Sequence, residues 1–264
     1  MEDNDRKQYS IEGYVWAYII ITILVFALIV FAIIYGTHRV VDYIRVGEAK
    51  PVIETMENKY GTDFKLIENL GAIYEQEEEF ISHNKTGYSH FYVVKKDALD
   101  SPIYVKYKDD TKEIVQEDYI ESRIMYNTAK IIESDYKIGD KMYVYIGMNT
   151  DRELNIEGAE NDSFFTVENG EGQANIYIFY HGDANQEEQY LESLISNFKI
   201  PETVKGQIRL IKVNSKEGID KVRKYYKENY LPIDIGINVK SDIKDKYIEK
   251  SFKSGYNGNK FIKY

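Results

Sequence analysis

Four histidines and a surplus of carboxylates are the residues with which this chain could do chemistry, because it contains no cysteine. That absence removes disulfides, thiolate nucleophiles, lipobox acylation and cysteine metal sites. His83 and His90 flank an expected hairpin and, with Glu78 or Glu79, would offer zinc a set of nitrogen and oxygen ligands. No ligand spacing such as H-E-x-x-H accompanies them. His181, in Tyr180-His181-Gly182-Asp183, follows an expected strand end, where open α/β sheets put reacting groups. A turn residue beside Gly-Asp is the commoner role. His38 falls at an expected membrane edge, as an interfacial residue. Asn149–Glu157 alternates oxygen-bearing side chains as calcium loops do, but it lacks their central glycine and is interrupted by Arg152 and hydrophobic residues. It reads as a solvated loop, and the acidic run Glu75–Glu79 as a solvated loop or helix edge rather than a cation site.

Carboxylates abound among the 44 acids, so pairing alone singles none out as general acid or base. No G-x-S-x-G elbow, S-x-x-K, Walker loop or dinucleotide fingerprint is present. No catalytic, cofactor-binding or metal-ligating residue is therefore assigned, and no cofactor is expected. The 25 tyrosines accompany much Lys, Asn and Ile, a bias of AT-rich coding, and are not read as a site by themselves.

What would position any such chemistry is the stretch Tyr14–Tyr35, which carries no charge and has Thr22 as its one plainly polar side chain apart from tyrosines. A helix over it would be roughly 33 Å long at ~1.5 Å per residue, enough to cross a hydrocarbon core. Tyr14, Trp16 and Tyr18 at one end and Tyr35 at the other are placed as membrane-interface anchors. The apolar run is long and Gly36-Thr37-His38-Arg39 offers no processing site, so an uncleaved signal anchor is expected. Arg6 and Lys7 before it balance Arg39, Arg45 and Lys50 after it, so flanking charge does not set the orientation. Long C-terminal domains translocate largely regardless of charge, which favours an extracytoplasmic domain. Gly13 and Ala17 form one small-xxx-small pair, too little to assign an oligomeric state.

The net charge is −10, of which −2 falls in the first 35 residues. An acidic domain beside a membrane is repelled by nucleic acid, so no nucleic-acid partner is expected. A hydrophobic fraction of 43% suits a folded domain.

The expected organisation is a polar tail over 1–13, a transmembrane helix over 14–36, a stalk over 37–50, a helix–strands–helix module over 51–138, a second α+β module over 139–240 and a fraying tail over 241–264. In the first module Pro51 opens a helix that buries Val52, Ile53, Met56 and Tyr60 and stops at Gly61. Strands follow at Phe64–Ile67, Tyr88–Val94 and Ile103–Tyr107, with Gly71 a possible bulge, and a helix runs from Val115 to Asp135. In the second, a strand at Met142–Met148 precedes a hairpin of Phe164–Glu168 with Ala174–Tyr180, joined by Asn169-Gly170. Helices near 186–198 and 215–230 then alternate with strands at Gln207–Val213 and Ile233–Val239, and the two halves could share one sheet. The fold class is α+β: a single N-terminal transmembrane helix, then a mixed or antiparallel sheet domain with packed helices.

Met56–Ile67, a helix ending Lys59-Tyr60-Gly61 and then Asp63-Phe64 and a strand, resembles a phrase in membrane-anchored extracytoplasmic proteins of low-GC Gram-positive bacteria. The resemblance covers residues 14–135. It implies a compartment and an α+β architecture, with no functional residues carried over.

The function expected from these readings is that of a membrane-anchored, extracytoplasmic binding or interaction protein without catalysis of its own. Its partners would be the lipid bilayer and a membrane or envelope component. Two rivals stand beside it. One is an envelope hydrolase using carboxylates with His181; the other is an accessory subunit of a secretion, conjugation or toxin-protection assembly.

Overall fold

Residues 16, 18–31, 47–76, 83–99, 101–148, 154–183, 186–229 and 248–263 are described by the computed structural model, in which Met1–Lys50 and Pro51–Tyr264 form separate compact units. In the first unit residues 18–31 are helical and exposed on every side. No helix among the described residues is long and apolar enough to cross a membrane. Of the expected transmembrane helix over 14–36, residues 18–31 are helical but a membrane span is not supported among the described residues; Tyr14, Tyr35 and the stalk residues 37–46 lie outside the described residues, as does the pair Gly13 and Ala17.

The second unit is α+β and holds two sheets rather than the single shared sheet that was possible. The helix over 47–60 (α1) buries Val52 and Met56 and ends where Gly61 takes φ 64°. Strands β1 (Phe64–Gln76), β2 (His83–Lys95), β3 (Pro102–Lys108) and β4 (Glu113–Glu117) form an antiparallel sheet in sequence order. Gly71 does sit at a register shift of β1. The helix α2 (Tyr119–Asp135) starts later than its apolar pattern suggested, because Ile114 and Val115 extend beside β3 before Asp118 turns the chain. Two serines tie α2 to β3: Ser101 Oγ lies 2.6 Å from Ser122 Oγ, which also donates to the Pro102 carbonyl at 2.9 Å.

The second sheet is mixed. It is built from β5 (Lys141–Met148), β6 (Asn155–Glu157), β7 (Asn169–His181), β8 (Val204–Val213), β9 (Ile248–Asn257) and β10 (Lys260–Ile262), in the order β10-β9-β8-β7-β5 with β6 beside β7. Among the described residues only β7 and β8 are parallel, joined through α3 (Glu187–Ser196). Strand alternation sends Val144, Ile146, Ile176 and Ile178 to the face covered by Ile124 and Ile132 of α2 and Leu191 and Leu194 of α3. The intervening Tyr143, Tyr145, Tyr177 and Phe179 meet Val222 and Tyr226 of α4 (Lys216–Asn229) on the other face.

Three expectations are corrected here. Asn169-Gly170 is not a hairpin turn but opens β7, with Gly170 at φ 147° against Ile156 of β6. Phe164 and Phe165 stay out of a strand because local bonds win: the Ser163 amide donates to Thr166 Oγ1 and the Phe165 amide to Ser163 Oγ. The C-terminal tail is a hairpin, β9–β10, since Tyr256 is fully buried and its hydroxyl donates to the Ala174 carbonyl at 2.7 Å. The expected strand Ile233–Val239 lies outside the described residues.

Candidate functional site

The alternation along β2 and β3 sorts one set of residues into the core and another onto the opposite face of the four-stranded sheet. Phe91, Val93, Ile103, Val105 and Tyr107 are buried. The residues between them, Tyr88, His90, Tyr92, Tyr104 and Lys106, are half-buried. Antiparallel register sets His90 opposite Lys106 and Tyr92 opposite Tyr104. β1 adds Glu68 beside Tyr92, and β4 adds Gln116 beside Lys106.

The rings touch. Tyr92 and Tyr104 have centroids 5.8 Å apart at 61°, and His90 meets Tyr104 edge-on at 6.0 Å and 89°. Lys106 Nζ lies 4.8 Å from the centroid of the Tyr88 ring, a cation–π contact. Lys106 makes no ion pair among the described residues, whereas neighbouring Lys108 reaches Asp110 at 3.6 Å. Burial pushes the Tyr92 hydroxyl up to about 12, with the Asp118 carboxylate adding to it. Tyr104 is raised by burial and then by Asp118. His90 is lowered by burial foremost and by Lys106, against a bond to the Leu70 carbonyl, so its ring is neutral at pH 7. The face therefore offers phenol donors, a neutral imidazole and one ammonium without an ion pair among the described residues. Within this face no nucleophile and base pair is formed among the described residues.

Titration is perturbed at a second place, where α1, β4 and α2 meet. Glu117 accepts from Lys59 Nζ at 2.9 Å, from the Tyr60 hydroxyl and from the Tyr119 amide at 2.6 Å. The Tyr60 and Tyr119 rings stack at 3.9 Å, and the Tyr119 hydroxyl donates to Glu160. Asp118 accepts the Tyr104 amide at 2.6 Å, and burial raises its carboxyl well above the ordinary range, with Glu121 and Glu117 adding to the effect. These carboxylates are taken up by donors from α1, β3 and α2, which makes the cluster a clasp of the fold.

His90, singled out for zinc, thus belongs to the tyrosine face. His83 lies on β2 opposite Gln76, but Glu78 and Glu79 are outside the described residues, as is His38. Among the described residues no three His, Asp or Glu side chains group as a metal site. His181 ends β7 with Nδ1 3.0 Å from the Val213 carbonyl, and its own carbonyl accepts the Asp140 amide at 2.8 Å, so it is held as part of a strand end. Of Asn149–Glu157, residues 149–153 lie outside the described set; Leu154 and Ile156 are buried rather than solvated, and 155–157 form β6. Trp16 and Tyr18 are exposed at 65% and 74%. Sequence reasoning passed over Tyr88, Tyr92, Tyr104 and Lys106 because tyrosine is frequent throughout. The signal available was the spacing of two along adjacent strands, Tyr88, His90 and Tyr92 on one and Tyr104 and Lys106 on the other.

No family model and no curated protein matches the chain. A solved structure does. The chain is similar to the crystal structure of a DUF5037 family protein from Ruminococcus gnavus, with a TM-score of 0.51 and 14% identity, over 81% of this chain and 93% of that one. At that identity the likeness shows the fold alone.

Proposed function

We propose that this protein is a membrane-anchored, extracytoplasmic binding protein, in which an apolar N-terminal helix holds an acidic α+β domain at the bilayer. One observation carries the reading. Along helical residues 18–31 every side chain is exposed, with Phe26, Leu28 and Phe31 each near 68%, and none carries a charge. A helix that is apolar all round belongs in a protein core or in lipid. Its one aliphatic hydroxyl is already satisfied, Thr22 Oγ1 donating to the Tyr18 carbonyl at 2.8 Å, as hydrocarbon requires. The uncharged sequence continues beyond this segment in both directions, from Tyr14 to Tyr35, which supports a full span.

The domain's part is to bind. The aromatic face of the β1–β4 sheet has the composition of a recognition surface, with tyrosines at its centre and charge at its rim. Anchoring raises the local concentration of domain and ligand at one surface. Sidedness is tested by proteolysis of intact cells carrying a C-terminal epitope. The epitope should be lost without lysis; an epitope cleaved only after lysis would put the domain on the cytoplasmic side.

A further inference from the structure

We propose that the face built by Tyr88, His90, Tyr92, Tyr104 and Lys106 binds an acidic saccharide, with a sugar ring across the adjacent tyrosines and its carboxylate at Lys106. The inference deepens the binding role above and rests on it. Three features point to this ligand. The site is a strand face on which half-buried rings stand side by side, which suits a ligand that presents a flat, partly apolar ring with hydroxyls at its edge. Tyrosine offers the matching pair of surfaces, an apolar ring and a hydroxyl that stays protonated and donates.

The charge is the third feature. In a chain of net −10, Lys106 is half-buried and without an ion pair among the described residues, held over the Tyr88 ring instead. A partly desolvated ammonium of this kind gains most from one incoming carboxylate. The rim sets an upper bound on ligand charge: Glu68 stands beside Tyr92 and Glu113 beside Lys108, so a dense polyanion such as nucleic acid is repelled. His90, neutral and opposite Lys106, adds a hydrogen-bonding group without adding charge.

The test uses the full chain in nanodiscs of zwitterionic lipid, titrated by calorimetry with the disaccharide of N-acetylglucosamine and N-acetylmuramic acid. The neutral disaccharide of N-acetylglucosamine serves as comparison. Saturable binding is expected for the acidic sugar, at least tenfold tighter than for the neutral one, and weakened at least tenfold by Lys106→Gln and by Tyr92→Ala. Lys106→Gln should leave the thermal midpoint in place, which separates lost binding from lost fold. Absence of saturable binding, or wild-type affinity in the Lys106→Gln and Tyr92→Ala variants, overturns the proposal. So does a face that instead captures vesicles of anionic phospholipid, or a purified protein partner, with the same dependence on Lys106. None of these outcomes touches the anchor, which is read by membrane extraction.

Discussion

The Glu133 carboxylate of α2 accepts the Val144 amide of β5 at 2.9 Å, and so closes the outer edge of the six-stranded sheet with a side chain. Arg223 of α4 completes the closure, reaching the Met142 carbonyl at 3.4 Å and Glu133 itself at 3.6 Å. Edge strands leave unpaired amides and carbonyls that recruit other chains, and helices from both sides of the sheet here supply partners to one amide and one carbonyl of β5.

Glu133→Ala should therefore leave the buried Val144 amide unpaired and cost about 1–3 kcal/mol in chemical denaturation. Glu133→Gln keeps an acceptor and should recover most of that loss. Equal stability of Glu133→Ala and the wild type would show that the edge bond contributes nothing.

Asp118 gives a pH dependence of definite sign. Its folded carboxyl titrates above the ordinary range, so the anion is penalised in the fold and the penalty persists above the folded value. Stability from this group rises as pH falls through that value, and the gain is complete once the unfolded carboxyl also protonates, near about 4. Asp118→Asn keeps an acceptor for the Tyr104 amide and cannot ionise. The variant should be more stable than the wild type at pH 8, by about 1.4 kcal/mol for each unit separating the two states, and the difference should vanish toward pH 4. A difference that is constant with pH would refute the assignment.

Gly206 has no room for a side chain. A Cβ there would lie 1.7 Å from the Ala174 carbonyl oxygen, which also accepts the Tyr256 hydroxyl. Gly206→Ala should cost about 3 kcal/mol or more by forcing β8 from β7. A wild-type melting curve for this variant would mean that the two strands separate without penalty.

Removing the apolar segment should leave a folded domain, because residues 51–264 form their own compact unit. Residues 37–264 are expected to be monodisperse without detergent and to melt cooperatively. Aggregation of this fragment would mean that the N-terminal helix is needed to cover the domain.

Much of this fold was legible because local pattern and tertiary environment agree. Val52 and Met56 share a helical stripe, and Gly61 stops the helix in the left-handed conformation that the residue type permits. The alternation of Ile176 and Ile178 with Tyr177 and Phe179 marks a strand with both faces covered. Where the reading went astray, contacts distant in sequence decide the outcome. Asn169-Gly170 carries a strong turn signal, yet β6 supplies a partner that keeps it extended. The tail after Ser251 looks polar and glycine-rich, but Tyr256 inserts beneath β7 and drags its neighbours into the sheet. The tyrosine face stayed hidden for a related reason. Its residues are ordinary one by one, and only the β2–β3 register sets Tyr92 against Tyr104 and His90 against Lys106.

The central claim is that the N-terminal helix is embedded in lipid, and alkaline carbonate extraction of membranes tests it most directly. The intact chain should stay in the membrane pellet while residues 37–264 pass to the supernatant. Intact full-length protein in the carbonate supernatant would contradict the account.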